Sequence, residues 1–267
     1  MSERIPPILL VGLGRMGGAM LSGWREQGFA PSVAVDPVAG SAYRGADLAV
    51  VSDAAAIPAG FAPAAVVFAV KPQTAAEALP AYRRFAGQAV FLSIMAGRTL
   101  GGIRALLGDA QVVRAMPNTP AAVRQSITVA CPGPGVTAAQ RTLCDRLLQA
   151  IGVVAWVDDE GLLDPVTAVS GSGPAYVFLL AELLEEAARA QGIPPDLARL
   201  LARQTVSGSG ALLAASPEDS AALRRAVTSP AGTTERALGV LMAPDAWPLA
   251  INRAIAAATA RSRELAG

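Results

Sequence analysis

The stretch that decides the fold is ILLVGLGRMGGAMLSGWREQG, residues 8–28. It begins with four apolar residues typical of a buried strand and continues as a helix that Gly28 can end. Between strand and helix, Gly12, Gly14 and Gly17 have the spacing G-x-G-x-x-G, and Asp36 follows 19 residues after the last of them. This order of strand, glycine turn, helix and acidic residue predicts a dinucleotide-binding fold.

The glycine turn and Asp36 also bear on which nucleotide binds. Glycines allow backbone N–H groups to approach a pyrophosphate at a helix N-terminus, where the helix dipole favours an anion. A carboxylate at Asp36 can accept hydrogen bonds from ribose hydroxyls and would repel a 2′-phosphate, which favours NADH. Ser41 and Arg44 are close enough in sequence to reach a phosphate. The cofactor is therefore predicted to be NADPH or NADH.

Further apolar runs predict more strands, with alanine-rich helical segments between most of them. Continuous apolar strands that alternate with helices predict a parallel sheet covered on both faces. We interpret residues 1–160 as an α/β domain with a doubly wound, Rossmann-type sheet. The predicted strands after the first are VAVD (33–36), AAVVFAV (64–70), AVFLSIM (89–95), QVVRAMP (111–117), ITVACP (127–132) and VVAWVD (153–158).

Residues 161–267 show no strand pattern and predict an all-helical domain. Its first helix, SGSGPAYVFLLAELLEEAARAQG (170–192), carries apolar residues on more than one face. Such a helix must be buried on several sides. We expect a second copy of the chain to cover it, which predicts a homodimer; a core helix within one chain is the alternative.

Composition excludes several classes of function. The chain of 267 residues has a net charge of +1 and no basic stripe, so we expect no nucleic-acid partner. It has no histidine, which excludes imidazole-based catalysis. Lys71 is its only lysine. Cys131 and Cys144 lack metal-ligand spacing, so no metal is expected. No window approaches about 18 consecutive apolar residues, and the start MSERIPP lacks a signal-peptide pattern. We therefore expect a cytoplasmic protein with no membrane partner.

Three loops follow predicted strands and point to one cleft. AVKPQ (69–73), SIMAG (93–97) and RAMPNTPA (114–121) lie at strand ends, where doubly wound sheets bind their ligands. Ordinary turn chemistry is the alternative for each loop taken alone. The cofactor contacts predicted from these loops, the glycine turn and the strand end are Gly12, Leu13, Gly14, Arg15, Met16, Gly17, Asp36, Val70, Lys71, Pro72, Ala96, Pro117 and Asn118.

A polar cluster, VTSPAGTTERAL (227–238), interrupts the apolar helical half. Ser229 and Pro230 begin a turn, Gly232 permits close backbone approach, and Thr233 with Thr234 opens the next helix. A plain N-cap needs only one hydroxyl. A helix N-terminus rich in hydroxyls instead predicts a receptor for a carboxylate.

Five segments together resemble the pyrroline-5-carboxylate reductase family: AVKPQ, SIMAG, RAMPNTPA, TAVSGSGPAYVFLLAE and VTSPAGTTERAL. The resemblance implies reduction of the cyclic imine 1-pyrroline-5-carboxylate to L-proline with NADPH or NADH, a helical dimerisation domain, and in some members a decamer. It implies that the Ser229 hydroxyl and the backbone amides of Gly232, Thr233 and Thr234 bind the substrate carboxylate. Thr234 would be the catalytic residue, because its hydroxyl would hydrogen-bond the ring nitrogen.

The sequence departs from the family pattern at three places. Ala231 stands where the family usually has glycine, and a methyl group there restricts φ. Gly17 and Gly18 lie where the family commonly has alanine, and Asp36 lies where NADPH-preferring members carry small polar or basic residues.

Two other functions remain open: reduction of another cyclic imine carboxylate, such as a six-membered ring, and a non-catalytic nucleotide-sensing dimer. A β-hydroxyacid dehydrogenase fits poorly, because that class uses a lysine in its second domain and this chain has none after Lys71.

Overall fold

A computed structural model describes residues 4–38 and 43–266. Ser41, one of the residues considered above as a phosphate contact, lies outside these ranges. The described strands form one sheet of eight, in the order β3-β2-β1-β4-β5-β6-β7-β8. Their bounds are β1 Ile8–Val11, β2 Ser32–Val35, β3 Leu48–Val51, β4 Ala65–Phe68, β5 Val90–Ser93, β6 Val112–Met116, β7 Ser126–Pro132 and β8 Gly152–Trp156.

The strand predictions are confirmed in place, with one omission and one correction. Strand β3, which lies at the edge of the sheet, was not predicted. The prediction of a parallel sheet is wrong for one pair: β7 runs antiparallel to β6. The connection between them is a short turn around Thr119–Val123, and a parallel pair would need a crossover of a dozen or more residues.

Two apolar layers cover the two faces of this sheet. Leu10 on β1 belongs to the layer that contains Trp24, in the helix after the glycine turn, whereas the neighbouring Leu9 belongs to the layer that contains Phe91. This alternation follows from the two-residue period of a strand. The indole N–H of Trp24 donates to the carbonyl oxygen of Leu147 at 2.9 Å, so the helix after the glycine turn is fixed against the rest of the layer.

The helices that accompany the sheet come before residue 172, and those that follow form the second half of the chain. The first group is α1 Arg15–Gln27, α2 Ala75–Ala78, α3 Leu100–Leu107, α4 Ala138–Gln149 and α5 Leu163–Val166. The second group is α6 Gly173–Ala190, α7 Pro195–Ala215, α8 Ser220–Ala226, α9 Thr233–Leu241 and α10 Trp247–Ala266. The absence of strand in this half was predicted; the short helix α8 was not.

By contacts, the chain divides into two compact units. One comprises residues 1–171 with 258–267, and the other comprises residues 172–257. The predicted boundary at residues 160 and 161 lies earlier than this division. The end of α10 groups with the first unit although the helix begins in the second.

The helical unit buries little within one chain. None of the 18 residues of α6 is buried, and Phe178 and Leu183 on this helix are 67% and 51% exposed. On α7 only Ala198 and Ala202 are buried. Exposed apolar surface of this extent marks a region that another surface covers.

One helical segment, Glu160–Ala190, is long and apolar enough to cross a membrane by length and composition alone, with a mean hydropathy of 1.3. It contains α6. The sequence prediction concerned about 18 consecutive apolar residues; this segment is interrupted by Gly171, Gly173, Pro174 and Glu182 and is apolar only on average.

Candidate cofactor and substrate sites

The three glycines after β1 meet three different surroundings. Gly12 has a φ of +99°, and a Cβ added there would lie 2.7 Å from the carbonyl oxygen of Ala69. A Cβ on Gly17 would lie 2.1 Å from the carbonyl oxygen of Gly12. A Cβ on Gly14 would meet no protein atom within 4 Å. Packing therefore requires glycine at positions 12 and 17. Gly14 borders open space, through which a ligand can approach the protein backbone.

The N-terminus of α1 supplies hydrogen-bond donors beside that space. Gly14 is its N-cap, no side chain caps the helix, and its first turn contains no acidic residue. The first backbone bond runs from the N–H of Gly18 to the carbonyl oxygen of Gly14 at 2.8 Å. Within the described ranges, the N–H groups of Arg15, Met16 and Gly17 have no acceptor. Such donors, together with the helix dipole, fit a pyrophosphate.

Asp36 lies directly after β2 and contacts this turn. One of its carboxylate oxygens accepts the N–H of Leu13 at 2.7 Å, and the other accepts the N–H of Val38 at 2.8 Å. The N–H of Leu13, a predicted cofactor contact, is therefore donated to Asp36. A carboxylate at this position is the kind of acceptor to which ribose hydroxyls donate. The guanidinium of Arg44 donates to the carbonyl oxygen of Val50 at 3.1 Å.

A cavity of about 350 Å³ lies beyond the carboxyl ends of β2 and β3. Val35 and Pro37, the residues on either side of Asp36, line it. Burial raises the pKa of Tyr82 in its wall to about 12, so that phenol stays neutral. The lining consists of Val35, Pro37, Asp53, Ala54, Thr74, Glu77, Ala78, Ala81 and Tyr82. None of these was predicted, because their recognition needs the position of β3.

The loops after β4 and β5 lie at the same end of the sheet. Lys71 is exposed and precedes a turn of 3-10 helix at Pro72–Thr74. Val70 is half-buried, and Ala96 is exposed after β5. Arg98, which was not predicted, donates through Nε–H to the carbonyl oxygen of Pro72 at 2.9 Å and so joins the two loops.

Asn118 lies at the end of β6 and its side chain is used within the protein. Its amide oxygen accepts the hydroxyl of Ser126 at 3.0 Å and the N–H of Ile127 at 3.2 Å. Its amide nitrogen donates to the carbonyl oxygen of Ser170 at 3.0 Å. Both Asn118 and Pro117 are buried. For the predicted contact with the cofactor, these two residues can therefore offer only backbone atoms and the second amide hydrogen of Asn118.

The predicted carboxylate receptor begins with a turn at Ser229–Gly232. The N–H of Gly232 donates to the carbonyl oxygen of Ser229 at 3.0 Å, and Ala231 has a φ of +59°. Proline in the second place and a positive φ in the third are typical of a type II turn. A Cβ on Gly232 would lie 2.9 Å from the carbonyl oxygen of Ser229. Since the turn uses the N–H of Gly232, the predicted donation from this group to a substrate would require the turn to open.

The N-terminus of α9 follows this turn and offers several donors. The N–H of Arg236 donates to the carbonyl oxygen of Gly232 at 3.3 Å. Over the described part of the chain, the N–H groups of Thr233 and Thr234 and the hydroxyls of Ser229, Thr233 and Thr234 have no hydrogen-bond partner. Thr234 is half-buried and Thr233 exposed. Glu235 accepts the N–H of Ala231 at 2.6 Å, which fixes the turn against the helix.

Ala231→Gly is expected to stabilise the protein by about 0.5–1 kcal/mol. The left-handed conformation costs alanine about 1–2 kcal/mol, from which about 0.4–1 kcal/mol is subtracted for the larger entropy of the unfolded glycine chain. Denaturant midpoints at one protein concentration measure the change. Ala62→Gly is the control, because Ala62 is exposed and has no positive φ; it should destabilise. Equal destabilisation by both substitutions would contradict strain at Ala231.

Among the residues that the structure describes, no three His, Cys, Asp or Glu side chains form a group that could hold a metal ion. Cys131 and Cys144 are buried free thiols. Burial raises the pKa of both thiols, that of Cys144 to about 12. Neither cysteine is therefore a nucleophile at neutral pH.

The first unit combines a doubly wound sheet, a glycine turn with free helix donors and an acidic residue after β2. This arrangement defines a dinucleotide-binding protein, and the second unit adds a helical domain with exposed apolar faces. Residues 160–265 match the family model described as pyrroline-5-carboxylate reductase dimerisation. The pyrroline-5-carboxylate reductase of Pseudomonas aeruginosa is 37% identical, over 98% of this chain and 97% of that protein. The chain belongs to the pyrroline-5-carboxylate reductase family.

Solved structures agree with this membership. A pyrroline-5-carboxylate reductase from Coxiella burnetii superposes with a TM-score of 0.89 at 30% identity, and the match covers 97% of this chain and 98% of that one. Plasmodium falciparum pyrroline carboxylate reductase, solved with NADP bound, gives a TM-score of 0.81 at 25% identity and covers 98% of both chains.

Proposed function

We propose that this protein reduces 1-pyrroline-5-carboxylate to L-proline with a hydride from NADPH or NADH, the last step of proline biosynthesis. Similarity to reductases of this name over nearly the whole chain supports the assignment. The observation in the structure that carries it is the cluster of unpartnered hydroxyls and amides at the N-terminus of α9.

The substrate carboxylate is held at that helix terminus. The hydroxyl of Ser229 and the N–H groups of Thr233 and Thr234 donate to it, assisted by the positive end of the helix dipole. Gly232 belongs to the same predicted contact surface and permits the close approach of backbone. A negative charge bound here also satisfies helix donors that otherwise face water.

When bound, a reduced nicotinamide would supply the hydride for the imine carbon. The amides of Arg15, Met16 and Gly17 would hold its pyrophosphate, and Gly14 leaves room for it. The hydroxyl of Thr234 donates a hydrogen bond to the ring nitrogen and orients the imine, and solvent supplies the proton because a threonine hydroxyl is too weak an acid. The carbon of an imine is electrophilic once its nitrogen accepts a hydrogen bond and then the proton from solvent, so the protein needs alignment rather than imidazole chemistry.

Asp36 favours NADH over NADPH. Its carboxylate lies against the glycine turn through the N–H of Leu13, so it places a negative charge near the adenosine ribose. A 2′-phosphate at that position would be repelled, whereas two ribose hydroxyls can donate to the carboxylate.

The protein functions as a homodimer in the cytoplasm, formed through the helical unit, and decamers built from such dimers are compatible with it. Because α6 buries no residue within one chain, folding of this unit depends on the partner. The apparent free energy of unfolding should therefore rise by about 1.4 kcal/mol for each tenfold increase in protein concentration. Denaturation followed over a hundredfold concentration range tests this. A midpoint independent of concentration would contradict a dimer that covers α6.

The apolar surface of Glu160–Ala190 is assigned to this interface rather than to a membrane.

The test of the proposed function compares three imines: the five-membered ring with its carboxylate, the same ring without it, and the six-membered ring with it. We expect rapid oxidation of cofactor only with the first. Equal rates with and without the carboxylate would remove the α9 terminus as receptor. A faster rate with the six-membered ring would assign a different cyclic imine as the substrate.

A further inference from the structure

Arg98 joins two loops on which cofactor contacts are predicted. It follows the SIMAG segment after β5, and its Nε–H donates at 2.9 Å to the carbonyl oxygen of Pro72 in the loop after β4. The side chain is half-buried. The bond spans 26 residues of sequence, so it connects the ends of two neighbouring strands rather than stabilising a local turn.

The end of α10 supports the same loop from another side. Gly97 has a φ of +69°, and a Cβ added there would lie 3.2 Å from both the Cβ and the carbonyl oxygen of Leu265. One turn earlier, the hydroxyl of Ser262 donates to the carboxylate of Asp164 at 2.7 Å, and Ser262 is only 6% exposed. The segment Ala96–Arg98 is therefore fixed on both sides, by Pro72 and by the last turn of α10.

We propose that Arg98 is a positioning residue for cofactor binding, which holds the loops after β4 and β5 in one arrangement before the cofactor arrives. The proposal rests on the proposed function, because it assumes that NADH or NADPH binds at this end of the sheet. A loop that is already ordered loses less conformational entropy on binding, so affinity is higher. Arg98 acts through the position of Pro72 and Ala96 and need not touch the cofactor itself.

The test uses Arg98→Gln with Arg83→Gln as a matched control. Arg83 makes the same kind of bond, from Nε–H to the carbonyl oxygen of Leu106 at 2.6 Å, but joins no predicted cofactor loop. We expect Arg98→Gln to weaken the binding of NADH, measured by fluorescence titration, by about 3- to 30-fold. Turnover at saturating cofactor should change little, and Arg83→Gln should bind as the unsubstituted protein does.

Two readouts separate positioning from plain attraction of phosphate by a positive charge. Amide hydrogen exchange at residues 70–74 and 94–98 should be faster in Arg98→Gln without cofactor. The loss of affinity should also persist at high salt, where attraction between exposed charges is screened. Ser262→Ala, which leaves Arg98 intact, should weaken binding in the same direction because it loosens the support at α10.

The outcomes are distinguishable from those of the proposed function. If the unsubstituted protein does not bind NADH or NADPH, the proposed function fails. If it binds and Arg98→Gln binds equally well with unchanged exchange, Arg98 has no positioning role. A loss of affinity that disappears at high salt would likewise overturn the proposal in favour of direct charge attraction.

Discussion

Replacing Thr234 by alanine is expected to lower turnover by about 10- to 1,000-fold, the range usual for the loss of a hydrogen bond that positions or polarises a reacting group. Its hydroxyl has no partner among the described residues and lies half-buried in the first turn of α9. The substitution leaves in place the N–H groups that we propose hold the carboxylate. Steady-state rates at saturating imine and cofactor measure the effect, which should appear in kcat more than in KM.

Two neighbouring substitutions serve as controls for Thr234. Thr234→Ser keeps a hydroxyl and should retain activity within a few-fold. Thr233→Ala removes an equivalent hydroxyl one residue earlier, where only the backbone N–H is assigned to the substrate, and its effect on kcat should be small. Unchanged kcat in Thr234→Ala, or equal losses in Thr233→Ala and Thr234→Ala, would remove Thr234 from its catalytic role.

Replacing Gly14 by alanine is expected to weaken cofactor binding by about 10- to 100-fold while the fold persists. The added Cβ meets no protein atom within 4 Å, and the φ of −65° suits alanine. The methyl group would occupy the space assigned to the pyrophosphate, and overpacking by one methyl costs about 1–3 kcal/mol. Titration with NADH gives the loss of affinity, and the loss of stability should not exceed about 1 kcal/mol.

Gly17→Ala provides the contrast. Its Cβ would lie 2.1 Å from the carbonyl oxygen of Gly12, so backbone must move and both stability and binding should fall. If Gly14→Ala bound cofactor as well as the unsubstituted protein, the glycine turn would not be the pyrophosphate site.

The sequence predicted the parts of the fold that depend on local pattern. Four apolar residues before Gly12 predicted β1, and the apolar runs predicted six further strands, because buried parallel strands are continuous in hydrophobicity. The edge strand Leu48–Val51 was missed because a run of four apolar residues without a glycine turn after it cannot be distinguished by pattern from part of a helix or loop. The direction of β7 was missed because it depends on the length of a connection that looks like any other loop.

The local turns and helix starts of the candidate sites were predictable where glycine, proline and hydroxyl residues cluster, and contacts between chain segments were less so. The free backbone N–H groups at Arg15 and Thr234 could be predicted, because the sequence indicates that helices begin there. The hydrogen bond from the side-chain amide of Asn118 to the carbonyl oxygen of Ser170 joins segments 52 residues apart in the chain. The bond from Arg98 to Pro72 is of the same kind. Periodicity and turn chemistry carry no information about such contacts.

The most direct test of the account supplies 1-pyrroline-5-carboxylate with NADH and with NADPH in parallel, and follows loss of the reduced nicotinamide together with formation of L-proline. We expect one L-proline for each cofactor oxidised, with faster turnover on NADH. Faster turnover on NADPH would contradict the role of Asp36 and leave the reaction intact. Binding of both cofactors without oxidation of either would contradict the account itself and indicate a nucleotide-sensing dimer.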